Sequence, residues 1–117
     1  MFVTSLIWYM SSAVKVVQPT GILDGTQAAS FRDEVKTLVE SGENIILIDF
    51  EDVTFMDSSG LGALVLALKT VRAAGGKMYI CSVNEQIKML FELTSMDRVF
   101  DIFATRDDCE STVLSTT

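Results

Sequence analysis

A chain of 117 residues is the size of one ordinary domain, and 49% apolar residues, 21% charged residues and a single proline describe one packed core, not a disordered segment. The formal net charge is −7 and the nine Lys and Arg are scattered from Lys15 to Arg106, which argues against binding to nucleic acid or anionic lipid. Histidine is absent, which excludes Ser-His-Asp and Cys-His nucleophilic catalysis, histidine metal ligation and a phosphohistidine relay.

In chain order, Met1 to Met10 carries no charge, lacks the basic start of a secretion signal and reads as a buried strand. Phe2 to Tyr9 and Ala13 to Gln18 are predicted strands joined near Ser11 and Ser12, the second ended by Pro19 and Gly21. Gly25 to Ser41 places Ala28, Phe31, Val35, Leu38 and Val39 at helical spacing, with Gly42 as the stop. Asn44 to Phe50 is apolar on both faces, as a central strand is. A short connection through Val53 to Met56 leads to a predicted helix from Ser58 to Ala74, striped by Leu61, Leu64, Val65, Leu68 and Val71 and ended by Gly75 and Gly76. Lys77 to Val83 is again a strand, so Asn44 to Val83 forms a βαβ unit with an expected right-handed crossover. A helix from Asn84 to Thr94 presents Ile87, Leu90 and Phe91. A strand from Arg98 to Phe103 and a short helix opened by Asp107 or Asp108 complete the chain.

The expected organisation is a single α/β domain over 1–117, with its core at about 13–104, 1–12 as the first strand and 105–117 as a C-terminal helix and tail. The longest later apolar run, Leu61 to Leu68, is interrupted by Gly62 and closed by Lys69, short of the roughly 20 residues of a membrane helix. Cys81 in an apolar run and Cys109 near the acidic tail have neither disulfide nor metal-site spacing, and fit a reducing compartment. Asp24, Asp49, Glu51, Asp52 and Asp57 are read as solvated loop carboxylates in preference to Mg²⁺ ligands, and no cofactor is expected. Phe31, Phe50, Phe55, Phe91, Trp8 and the methionines are read as core. Gly75-Gly76-Lys77 is no P-loop, since position 71 is valine, and Met56 replaces the first glycine of G-x-S-x-G.

The most informative stretch is Phe55-Met56-Asp57-Ser58-Ser59-Gly60-Leu61-Gly62, where extended chain turns into helix. Asp57 or Ser58 can cap the first backbone N–H groups, and the helix dipole favours negative charge there. Capping needs neither Gly60 nor Gly62, each costing up to about 1 kcal/mol relative to alanine in a helix. Bare backbone at these positions suits close approach by another molecule, or tight packing of the helix on the sheet.

This octapeptide, with Thr20-Gly21-Ile22-Leu23-Asp24 upstream and Gly75-Gly76-Lys77 downstream, resembles the anti-sigma factor antagonists of the STAS family over about Ala13 to Phe103. The resemblance implies a mixed sheet of about four to five strands flanked by about four helices. It also implies partner switching: the unphosphorylated antagonist binds an anti-sigma factor that is an ATP-dependent serine kinase, phosphorylation breaks the complex, and a metal-dependent serine/threonine phosphatase restores it. By position Ser58 matches the phosphoacceptor, with Ser59 as a competing acceptor, Asp57 the acidic residue before it and Asp24 the acidic residue of the upstream loop. Ser59, Gly60, Leu61 and Gly62 complete the expected partner-binding segment. The expected protein is a cytoplasmic, non-enzymatic switch, monomeric when free and inserted in no membrane. The alternative within the family is an STAS subunit or regulator docked on a membrane transport complex. A phosphoaspartate receiver using Asp57 is disfavoured, because two strands precede the first helix and the last lysine is Lys88.

Overall fold

The computed structural model describes residues 14–116; the expected strand Phe2 to Tyr9, Trp8 within it and its join at Ser11 and Ser12 lie outside them. Four strands, β1 (Val14–Val17), β3 (Ile45–Asp49), β5 (Lys77–Cys81) and β6 (Asp101–Phe103), form one sheet in the order β1-β3-β5-β6. All its pairings are parallel, with β3 central in the register Val17↔Ile48↔Ile80. The antiparallel hairpin that would make the sheet mixed falls on Phe2 to Tyr9, outside the described residues.

Strand side chains alternate between faces, which explains why the β3 segment is apolar throughout. Ile46 and Ile48 enter the larger core with Phe31 and Val35 of helix α1 (Gly25–Glu40), Leu64, Leu68 and Val71 of α2 (Ser58–Ala73), and Ile87 and Phe91 of α3 (Glu85–Leu93). Leu47 faces the other way, into a smaller cluster with Val14, Cys81, Cys109 and Val113, the last two carried by α4 (Arg106–Thr116). The helices on the larger core keep the stripes expected of them, and Gly42 (φ +87°) and Gly75 (φ +80°) follow α1 and α2 in the left-handed conformation that glycine adopts without strain.

Several expectations change. The stretch Val53–Met56 is not a connection but a strand, β4, paired in parallel with the short strand β2 (Gly21–Leu23) through Ile22↔Phe55 and Leu23↔Met56. Only Val53 and Met56 of β4 are buried, so the stretch lacks the period-two pattern that marks a strand, and its partner lies far upstream. Phe55 is 45% exposed on this small sheet beside Ile22 at 52%, and Met89 is 59% exposed, so neither Phe55 nor Met89 is a core residue. The last strand is shortened by a 3₁₀ turn at Met96–Arg98, after which Phe100 packs its ring 5.6 Å from that of Phe91. Thr105, not Asp107 or Asp108, opens α4: its Oγ1 accepts the Asp108 N–H at 3.1 Å, while both aspartates sit in the first turn, where the helix dipole favours them.

Candidate functional site

Strands β2 and β4 run side by side and each ends in an aspartate that starts a helix. Asp24 caps α1, its Oδ1 accepting the Thr26 N–H at 2.9 Å and the Thr26 hydroxyl at 2.6 Å. Asp57 caps α2, its Oδ1 accepting the Gly60 N–H at 3.0 Å. Because Leu23 and Met56 are register partners, the two caps share one end of the small sheet, and α1 and α2 pack against one another from there. The positive ends of two helix dipoles therefore converge where the upstream loop meets the octapeptide. The Thr26 hydroxyl and backbone N–H hold the Asp24 carboxyl below its ordinary range, so it is a charged group at neutral pH.

Ser58 and Ser59 are both exposed at the first turn of α2. Their surroundings differ: a Cβ placed on Gly25 would lie 3.7 Å from the Cβ and Oγ of Ser59, so Ser59 sits against the start of α1. Gly60 is buried, and a side chain there would collide with the Leu23 carbonyl and lie 2.8 Å from Met56 Cγ. Its missing side chain serves the packing of α2 on β2, so the domain itself occupies the approach that a partner would need; Leu61 is likewise buried in the core. Gly62 is exposed, with nothing within 4 Å of an added Cβ.

Beside Ser58, Ser59 and Gly62 runs an open groove of about 710 Å³ between α1 and α2, walled by Ala28, Val65, Leu66 and Met96 and bordered by Arg32. Leu66 is 46% exposed along it. Neither Arg32 nor Leu66 is among the site residues expected from the sequence: the packing of α1 on α2 brings Arg32 to the groove, and Leu66 follows the serines along α2. The capping pattern Asp24-x-Thr26 was the available signal for Thr26.

The remaining acidic residues do separate local jobs. Asp49 is buried and its Oδ1 accepts the Glu51 N–H at 3.0 Å, and Asp52 Oδ2 accepts from Gln18 Nε2 at 3.0 Å. Among the described residues no three His, Cys, Asp or Glu side chains are grouped to hold a metal ion, and no helix is long and apolar enough to cross a membrane. Cys81 and Cys109 are free and buried, and burial pushes their thiols up to about 11 and about 12.

The parallel α/β domain thus starts two aspartate-capped helices together and sets exposed serines on one of them beside an open, largely apolar groove. The chain belongs to the STAS domain family, whose model matches residues 9–109. Among its relatives is the anti-sigma-B factor antagonist of Bacillus subtilis strain 168, 33% identical over 88 residues that cover 75% of this chain and 80% of that protein. A crystal structure of a Thermotoga maritima protein described as an anti-sigma factor antagonist superposes with a TM-score of 0.81 at 29% identity, covering 86% of this chain and 87% of that one. The Bacillus antagonist SpoIIAA, solved in unphosphorylated and phosphorylated forms, shares the fold at 22% identity with a TM-score of 0.66 for each form, over 86% of this chain and 89% and 91% of the two solved chains.

Proposed function

We propose that the chain is an anti-sigma factor antagonist that binds an anti-sigma factor serine kinase while Ser58 is unmodified and releases it once Ser58 is phosphorylated, with a metal-dependent serine/threonine phosphatase resetting the switch. The observation that carries this reading is the placement of Ser58: exposed, one residue after the Asp57 cap, at the mouth of the groove. Ser59 is exposed as well, but lies against the start of α1 at Gly25. The relatives' names and the two forms of SpoIIAA support the same reading. Such a switch works in the cytoplasm, where ATP is at hand for the kinase and reducing conditions keep thiols free.

The physical logic is steric and electrostatic. A partner seated along Gly62 and Leu66 packs against bare backbone and apolar side chains. A phosphate at Ser58 adds about −1.5 to −2 charge units at neutral pH and a hydration shell at the edge of that contact. Asp24 adds a fixed negative charge across the cleft, tuning how readily the hydroxyl is modified.

The test is titration of the anti-sigma factor kinase of the same organism with the unmodified protein, the Ser58-phosphorylated protein, Ser58→Asp and Ser58→Ala. Phosphorylation is expected to weaken binding by more than about a hundredfold, a loss of about 3 kcal/mol. Ser58→Asp gives part of that loss and Ser58→Ala binds constitutively. Equal affinities for the phosphorylated and unmodified forms, or phosphate found by mass spectrometry on Ser59 alone, overturn the assignment.

A further inference from the structure

Strand β4 has a backbone neighbour on one edge only: β2 pairs with it there, and among the described residues no strand pairs with the other edge. Side-chain amides close that second edge. Asn84 Nδ2 donates to the carbonyls of Val53 at 3.2 Å and Thr54 at 3.0 Å. Further along, Gln86 Nε2 donates to the Met56 carbonyl and Gln86 Oε1 accepts the Met56 N–H, both at 3.0 Å. The Gln86 carboxamide thus offers Met56 the donor and acceptor that a neighbouring strand's peptide would offer.

Met56 is fully buried and immediately precedes Asp57 and Ser58. Its carbonyl belongs to the Met56–Asp57 peptide, whose N–H makes only a long bond to the Leu23 carbonyl, 3.4 Å. On the β2 side, then, the last peptide before the cap is loosely held. On the α3 side it is held by a well-formed hydrogen bond, and the preceding peptide by another. Asn84, which also caps α3 by accepting the Ile87 N–H at 3.0 Å, fixes the root of the helix that carries Gln86.

We propose that Gln86 is a positioning residue for the acceptor serine: its carboxamide fixes the two peptides flanking Met56 and thereby the place from which Ser58 is presented to a kinase. The inference rests on the reading of Ser58 as phosphoacceptor. Phosphoryl transfer to a hydroxyl depends on orientation, and a displacement of about 1 Å can lower a rate by on the order of a hundredfold. An apolar side chain at position 86 would leave the Met56 N–H and carbonyl of a buried residue without these partners, and the turn into α2 would shift to find others.

The test pairs a physical readout with a kinetic one. Gln86→Leu removes both hydrogen bonds. Gln86→Glu keeps the acceptor and loses the donor, and a core variant, Val35→Ala, supplies a loss of melting temperature without touching the clamp. In the unmodified proteins, amide exchange at Met56 is expected to rise about tenfold or more in Gln86→Leu, with shifts confined to Asp57 through Gly62 and the β3 amides still protected. With the anti-sigma factor kinase of the same organism and ATP, Gln86→Leu is expected to lower kcat for Ser58 by about tenfold or more at nearly unchanged KM, as loss of a transition-state alignment does. Gln86→Glu falls between, and Val35→Ala keeps the wild-type rate. Wild-type exchange at Met56, or wild-type kcat in Gln86→Leu, overturns the proposal, as does an equal fall in Val35→Ala. If the wild-type protein itself is not modified at Ser58, the functional reading fails, and the exchange measurement alone decides whether Gln86 holds the segment.

Discussion

Gly60 and Gly62 sit two positions apart in one helix and meet opposite surroundings, which makes them a controlled pair. Alanine at 60 must enter space held by the Leu23 carbonyl, a backbone atom that cannot swing away. The expected result is destabilisation of about 1–3 kcal/mol, the usual range for overpacking, read by urea unfolding. Alanine at 62 meets nothing and gains helix propensity, so the domain is expected to become more stable by up to about 1 kcal/mol while its affinity for the anti-sigma factor falls. A third residue separates charge from capping. Asparagine also caps well, so Asp24→Asn should slow phosphorylation with little change in melting temperature, whereas Asp24→Ala loses the cap and lowers the melting temperature as well. The Asp24 carboxyl is depressed chiefly by the Thr26 hydroxyl, then by the Thr26 N–H. A depressed folded-state value means that the cap's contribution is complete above the ordinary carboxylate range and disappears as the pH falls through the lower folded value. Thr26→Val should therefore raise the Asp24 midpoint in an NMR titration and move that loss to higher pH.

Among elements, α4 serves to cover the second face of the large sheet, where its Cys109 and Val113 close over Leu47 and Cys81. Both thiols are buried and raised by that burial, so neither is expected to react with a thiol reagent at neutral pH while the domain is folded. Truncation after Ala104 removes the lid and is expected to make Cys81 react with Ellman's reagent under native conditions, with a lowered melting temperature. An unreactive Cys81 in the truncated protein would show that something else covers that face. The small β2–β4 sheet plays a different part, as the frame on which both aspartate caps are mounted.

Across the whole molecule, Ser58 is exposed at the start of α2 and away from the buried core, so a phosphate added there is expected to leave that core intact. The phosphorylated protein should keep its far-UV circular dichroism spectrum, and its stability should change by no more than about 1 kcal/mol, the scale of a charge at a helix start. A large spectral change on phosphorylation would mean that release works by refolding instead of by blocking the groove.

The elements legible in the sequence are those whose signal is local. The stripes of α1, α2 and α3, the doubly apolar β3, the glycine stops and the Asp-Ser-Ser octapeptide are set by residues close enough in the chain to reveal their period or their cap. Features that depend on distant partners emerged with the folded chain alone. Val53–Met56 is a strand because Gly21–Leu23 lies beside it and the amides of Asn84 and Gln86 close its other edge. Phe55 is exposed because that small sheet leaves it uncovered, Gly60 is a packing glycine because β2 presses on it, and Arg32 borders the site because α1 packs on α2. A side chain's periodicity records which face of its own element it occupies; what that face meets is fixed by contacts between segments 30 or more residues apart, which leave no period in the sequence.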